Sequence, residues 1–191
     1  MKKTIKLLIF LVLQTIFCNS QSKKYDTIVF ENISLNNHHL FFRLKEMASL
    51  ENYLGKIEKK VNISNDKKII PLTKKRLAIN EFSNKNTMLF TTRDSAFIHY
   101  FNFEKSQGNI VLKFKNKKIT FSNNYSLYEF RKAFPNSYKL AKGINATPLS
   151  RAAFIPVFIV RSTSKGYLCF TFYDEKLIDV FLSDNEPETP Y

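Results

Sequence analysis

The side chains in this chain that could do chemistry are few, and their spacing assembles no reaction. His38 and His39 are adjacent, so on a strand they point to opposite faces and cannot share a metal ion. His99 alternates with Phe97 and Phe101, which predicts a histidine on an aromatic face. Zinc wants three or four well-spaced ligands, and these histidines do not supply them. Cys169 lies within Tyr167-Leu168-Cys169-Phe170-Thr171-Phe172, where a small hydrophobe in a strand is the expected role. A nucleophilic cysteine would need a base and an electropositive setting. Asp94, Glu104, Asp174 and Asp179 fall at strand edges or turns, and none forms the carboxylate pair of a glycoside hydrolase. The sequence has no Gly-rich phosphate loop, Gly-x-Ser-x-Gly elbow or His-Glu-x-x-His. No catalytic residue, cofactor or metal ligand is assigned.

Lysine is the chemistry that remains. The formal net charge is +14, which permits association with anionic lipid headgroups, surface polysaccharide or an acidic protein; the competing reading is lysine that simply keeps the surface soluble. The long basic stretch holds Lys56, Lys59, Lys60, Lys67, Lys68, Lys74, Lys75 and Arg76, opposed by Glu58 and Asp66. Ile69-Ile70-Pro71-Leu72 lies between its halves. Lys59, Lys60, Lys67, Lys68, Lys74, Lys75 and Arg76 therefore form a candidate interaction patch for an acidic envelope protein or an anionic surface. The competing reading is a solvated loop. Lys113, Phe114 and Lys115 alternate charge and ring, as single-stranded nucleic-acid readers do, but packing of a half-buried strand produces the same pattern. Nucleic acid is not expected as a partner.

The reason is the leader. Lys2, Lys3 and Lys6 precede the apolar run Leu7 to Leu13, extended by Ile16 and Phe17, and Cys18-Asn19-Ser20 supplies small residues before Gln21. This is the pattern of a bacterial-type signal peptide over residues 1–20. It predicts an exported protein, periplasmic or extracellular. A retained anchor is the second reading, although a span wants about twenty apolar residues. Lipidation of Cys18 is the third, although Phe17 is bulky where a small residue is usual. Membrane attachment follows only from those two. Removing the three leader lysines lowers the charge from +14 to +11.

The elements that would carry these residues are mostly short strands. Thr27 to Phe30, Met88 to Thr92, Ala96 to Phe103, Ala153 to Val160, Leu168 to Phe172 and Leu177 to Leu182 read as strands, and Leu40 to Leu44 is an apolar run leading toward the first helix start. Ile110 to Phe114 and Ile119 to Phe121 flank a turn in which Asn116 tolerates positive φ. Pro156 predicts an edge or a bulge. Ser49 to Gly55 reads as a capped helix with Leu50, Tyr53 and Leu54 on one face, ended by Gly55 in a left-handed conformation. Ser126 and Glu129 form a capping box, Leu127, Phe130 and Phe134 the apolar stripe, and Pro135 the stop. Residues 136–151 read as loop.

The two helix starts superpose. Ser49-Leu50 matches Ser126-Leu127, Tyr53 falls on Phe130, and the hairpin Phe114 to Ile119 matches Phe172 to Leu177. Residues 56–76 would be an insertion in the first half. This order resembles the helix-plus-antiparallel-sheet repeats of the β-lactamase inhibitory proteins and the small outer-membrane assembly lipoproteins. The resemblance implies a role in binding proteins and transfers no site residue.

The expected fold is α+β, an antiparallel sheet with short helices on one face, in two related helix-strand halves. Residues 1–20 are the signal peptide, 21–44 an N-terminal strand segment, 45–122 the first half, 123–183 the second, and 184–191 a disordered acidic tail. The expected function is a non-catalytic, exported protein-binding domain. The alternatives are a cell-envelope hydrolase and a self-associating structural component of the envelope.

Overall fold

A computed structural model describes residues 25–35, 38–46, 51, 55–62, 80–92, 94–104, 108–145, 154–163, 166–183 and 186–187. The first strands are β1 (Thr27–Ile28), β2 (Ile33–Leu35), β3 (His38–His39), β4 (Phe41–Arg43) and β5 (Lys59–Asn62). Then come β6 (Asn80–Ser83), β7 (Thr87–Thr91), β8 (Ser95–Asn102), β9 (Ile110–Phe114) and β10 (Lys117–Phe121). Helices α1 (Leu127–Ala133) and α2 (Pro135–Lys139) precede β11 (Lys142–Asn145), β12 (Phe154–Ser162), β13 (Tyr167–Tyr173) and β14 (Lys176–Ser183). The described chain is thus predominantly β, with two short α-helices.

The strands form two sheets, where one was expected. The large sheet runs β1-β12-β13-β14-β8-β7-β6-β5, with β11 beside β12 and β4 beside β8. The small sheet runs β10-β9-β2-β3. The described pairings are antiparallel except that of β1 with β12, which makes the large sheet mixed. Strand β1 pairs with Arg161 and Ser162 of β12, and β11 pairs with its residues 154–157. The two therefore share one edge of β12 in succession. Pro156 lies before the pairing of β12 with β13 begins at Val157, so it has a partner strand on one side only, where its missing N–H does no harm.

The main core fills the space between the sheets. Phe158, Val160, Leu168, Phe170, Phe172, Val180 and Leu182 line one face of the large sheet, and Ile33, Leu35, Ile110, Leu112 and Phe121 join them from the small one. On the opposite face Val157, Ile159 and Cys169 pack with Tyr25, Tyr167 and Phe181. Residues 157–160 of β12 and 168–170 of β13 are therefore buried on both faces, which explains their apolar runs.

Helix α1 closes the junction of the sheets. Its Phe130 is fully buried, with ring centroids 5.4 Å from Phe158, 5.1 Å from Phe170 and 5.5 Å from Phe172. Phe134 reaches Phe114 of the small sheet at 5.2 Å. The capping box forms: the Glu129 N–H donates to Ser126 Oγ at 3.2 Å and the Ser126 N–H to Glu129 Oε2 at 2.8 Å. Pro135 does end α1, but it also begins α2 at the position where a fixed φ and a missing N–H suit a helix start. Asp26 caps that second helix, accepting from the N–H groups of Asn136 and Ser137 at 2.9 Å each. Residues 136–151, expected as loop, thus hold α2 and β11.

Gly55 has φ +80° and its N–H donates to the Glu51 carbonyl at 2.9 Å, the left-handed close expected of a helix end. Residues 49, 50 and 52–54 lie outside the described residues, as does the leader. The hairpins at 114–119 and 172–177 share their turn: Lys115 and Asn116 have φ of 46° and 61°, Asp174 and Glu175 of 48° and 57°. They belong to different sheets. Of residues 184–191, Glu186 and Pro187 are described, and Glu186 accepts from Lys142 Nζ and from the Tyr25 hydroxyl.

Candidate functional site

The chemistry most clearly assembled on the surface is a lysine hairpin. Strands β9 and β10 are joined by the two-residue turn Lys115-Asn116, whose positive φ angles match the right-handed twist of the flanking strands. That turn fixes the register, so Phe114 faces Lys117 and Lys113 faces Lys118. Alternation then sends Leu112, Phe114, Ile119 and Phe121 toward the core and leaves Lys113 and Lys118 side by side on the outer face. Lys115 and Lys117 are exposed at the tip. Together with Asn32 and Asn116, the four lysines line a shallow depression of about 460 Å³.

Its electrostatics are one-signed. Like charges directly opposite on neighbouring strands oppose folding. Among the described residues no carboxylate pairs with Lys113, Lys115, Lys117 or Lys118. Lys142, which does meet a carboxylate, Glu186, lies on the large sheet. Lys115 Nζ leans over the Phe114 ring at 4.9 Å. An anion seated between Lys113 and Lys118 would turn their repulsion into attraction.

The expected patch of residues 59–76 is placed only in part. Lys59 and Lys60 lie on β5, the edge strand of the large sheet. Lys60 is exposed with its Nζ 5.3 Å from the Phe82 ring centroid. Lys67, Lys68, Lys74, Lys75 and Arg76 lie outside the described residues. The hairpin lysines were not in that patch, although Lys-Phe-Lys-Asn-Lys-Lys over 113–118 carries the signal. A two-residue turn at 115–116 dictates the opposition of Lys113 and Lys118.

A second polar group crosses the far face of the large sheet. Register aligns Thr171, Asp179 and Asn102 across β13, β14 and β8, and Tyr100 lies two residues from Asn102 with its hydroxyl 3.2 Å from the Asn102 amide nitrogen. Burial pushes the Asp179 carboxyl up to about 6; bonds from Thr171 and Tyr100 pull it back, and the charge of Glu104 adds to the rise. Asp179 Oδ1 is buried without a hydrogen-bond partner.

The histidines and Cys169 have structural settings. Leu89 faces Ile98 and Met88 faces Tyr100, so His99 is the extra residue of a β-bulge. Its ring stacks on Phe90 at 4.4 Å, and burial pushes its pKa down to about 4. His38 and His39 pair with Leu35 and Ser34 in the small sheet. Cys169 is fully buried, and burial holds its thiol protonated. Among the described residues no three His, Cys, Asp or Glu side chains converge on a metal position, and no helix is long and apolar enough to cross a membrane. No protein-family model, curated protein or solved structure matches the chain.

Proposed function

We propose that this is an exported, non-catalytic binding protein of the cell envelope that attaches to an anionic partner through the β9–β10 hairpin. The observation that carries the reading is the opposition of Lys113 and Lys118 on an exposed face, flanked by Lys115 and Lys117. A fold that tolerates such repulsion gains from a ligand that neutralises it. The leader over residues 1–20 supports export. The order of α1 and the strands that follow supports a binding role through its resemblance to the inhibitory-protein and assembly-lipoprotein repeats. The Leu127 N–H donates to Glu175 and the Leu177 N–H to Tyr125, so the helix start is clipped to the β13–β14 turn as one unit. We read the 114–119 and 172–177 hairpins as related units on the strength of their common turn.

Cell fractionation tests this. The wild-type chain should be recovered in the envelope fraction and released by salt, and K113Q/K118Q should be soluble in the exported fraction. Recovery of the variant in the envelope at the wild-type level would overturn the reading.

A second reading, an envelope hydrolase, draws on Asp179. A carboxyl with a pKa near 6 can donate a proton near neutrality. Wall-degrading activity that disappears in a folded D179N variant would favour it.

A further inference from the structure

We infer that the anionic partner of the β9–β10 hairpin is the phosphate-bearing surface of an anionic lipid bilayer. The inference rests on the attachment reading above and names its partner.

Three features of the hairpin select a headgroup layer over an acidic protein. First, its cations are all lysines. Protein interfaces enrich arginine and aromatic anchors and deplete lysine. The lysine ammonium is a compact, strongly hydrated charge, suited to a diffuse negative surface that it need not enter. Second, the apolar residues of the hairpin, Phe114, Ile119 and Phe121, belong to the core, and the residues lining the depression are lysine and asparagine. The patch therefore offers charge and amide hydrogen bonds without a buried hot spot. Third, directly opposed residues on antiparallel strands lie about 5 Å apart at Cα. The Lys113 and Lys118 ammoniums can thus meet the oxygens of one phosphodiester or of two neighbouring headgroups. Lys115 and Lys117 extend the same charge to the tip, and lysines near an anionic leaflet add their attractions.

The test is co-sedimentation of the full chain with vesicles of phosphatidylglycerol in phosphatidylcholine at low ionic strength. K113Q/K118Q is compared with the charge-matched K85Q/K139Q, whose lysines are exposed elsewhere. All three proteins carry the same leader, so its contribution cancels. The expected result is binding that falls about thirty-fold in K113Q/K118Q and changes much less in K85Q/K139Q, while on pure phosphatidylcholine the three proteins behave alike. Equal binding by the two variants overturns the inference. So does hairpin-dependent binding to poly-glutamate without binding to vesicles, which would name an acidic protein. Displacement by inorganic phosphate with no vesicle binding would name a small oxyanion and also overturn it. Hairpin-dependent envelope retention in cells, found alongside any of these, would leave the attachment reading standing while the lipid inference fell.

Discussion

Two half-buried titratable residues, His99 and Asp179, act on stability in opposite directions. His99 has a pKa of about 4 in the folded chain against 6.5 unfolded. Below 6.5 the unfolded chain takes up a proton that the folded one refuses, so this residue removes stability as the pH falls from 6.5 to 4. Asp179 is at about 6 against 3.8. Its contribution is fully present below 3.8 and is lost as the pH rises through 6. Each is worth on the order of 3 kcal/mol at full extent, and between pH 4 and 6 they offset one another. D179N should therefore be more stable than wild type at pH 7.5 and should lose that margin as the pH falls to 4. Urea denaturation at several pH values reads this, and a constant margin would contradict it. Phe130 is the residue on which packing depends most. It touches Phe134, Phe158, Phe170 and Phe172, and Phe130→Ala should cost about 3–5 kcal/mol in the same assay. The roles of His99 and Asp179 were not legible from residue type. His99 does lie among aromatic rings as its alternation with Phe97 predicts, since both rings meet Phe90; but its bulge, and the row that aligns Asp179 with Thr171 and Asn102, exist only once strands pair.

At the scale of elements, caps and turns were the most legible features, because each is written in adjacent residues. The capping box at Ser126 and Glu129 and the positive φ at Asn116 are local chemistry. Ser126→Ala should lower the melting temperature through a loss of about 1 kcal/mol. The β13–β14 turn places Asp174 and Glu175 at φ of 48° and 57°, a conformation that Asn-Gly adopts with less strain. D174N/E175G should raise the denaturation midpoint, and a lowered midpoint would show that the turn geometry is otherwise. Nonlocal facts were less legible. Strand β1 pairs with β12 from the opposite end of the chain, and two sheets rather than one follow from β2 choosing β9. Pro135 reads as a stop in isolation. It becomes a start because Asp26, from far away in sequence, supplies the cap. Burial of residues 157–160 of β12 and 168–170 of β13 on both faces also hides the alternation that would reveal which side faces the small sheet.

At the scale of the whole molecule, charge and core are segregated. The aromatic core joins the two sheets through α1, and the hairpin lysines project from the small sheet away from it. On the large sheet Glu186 holds Lys142 and Tyr25 together, a partly exposed contact whose loss in E186Q should cost no more than about 1 kcal/mol. The large net charge does not by itself distinguish a binding surface from a soluble one. What distinguishes them is whether position matters as well as number. The deciding measurement is the salt concentration that releases half of the envelope-bound protein, compared for wild type, K113Q/K118Q and K85Q/K139Q. Each variant removes two positive charges, so net charge is matched. A hairpin that is the attachment site predicts release at clearly lower salt for K113Q/K118Q and near wild-type salt for K85Q/K139Q. Equal shifts in the two variants would show that net charge alone holds the protein, and would contradict the assignment of the site.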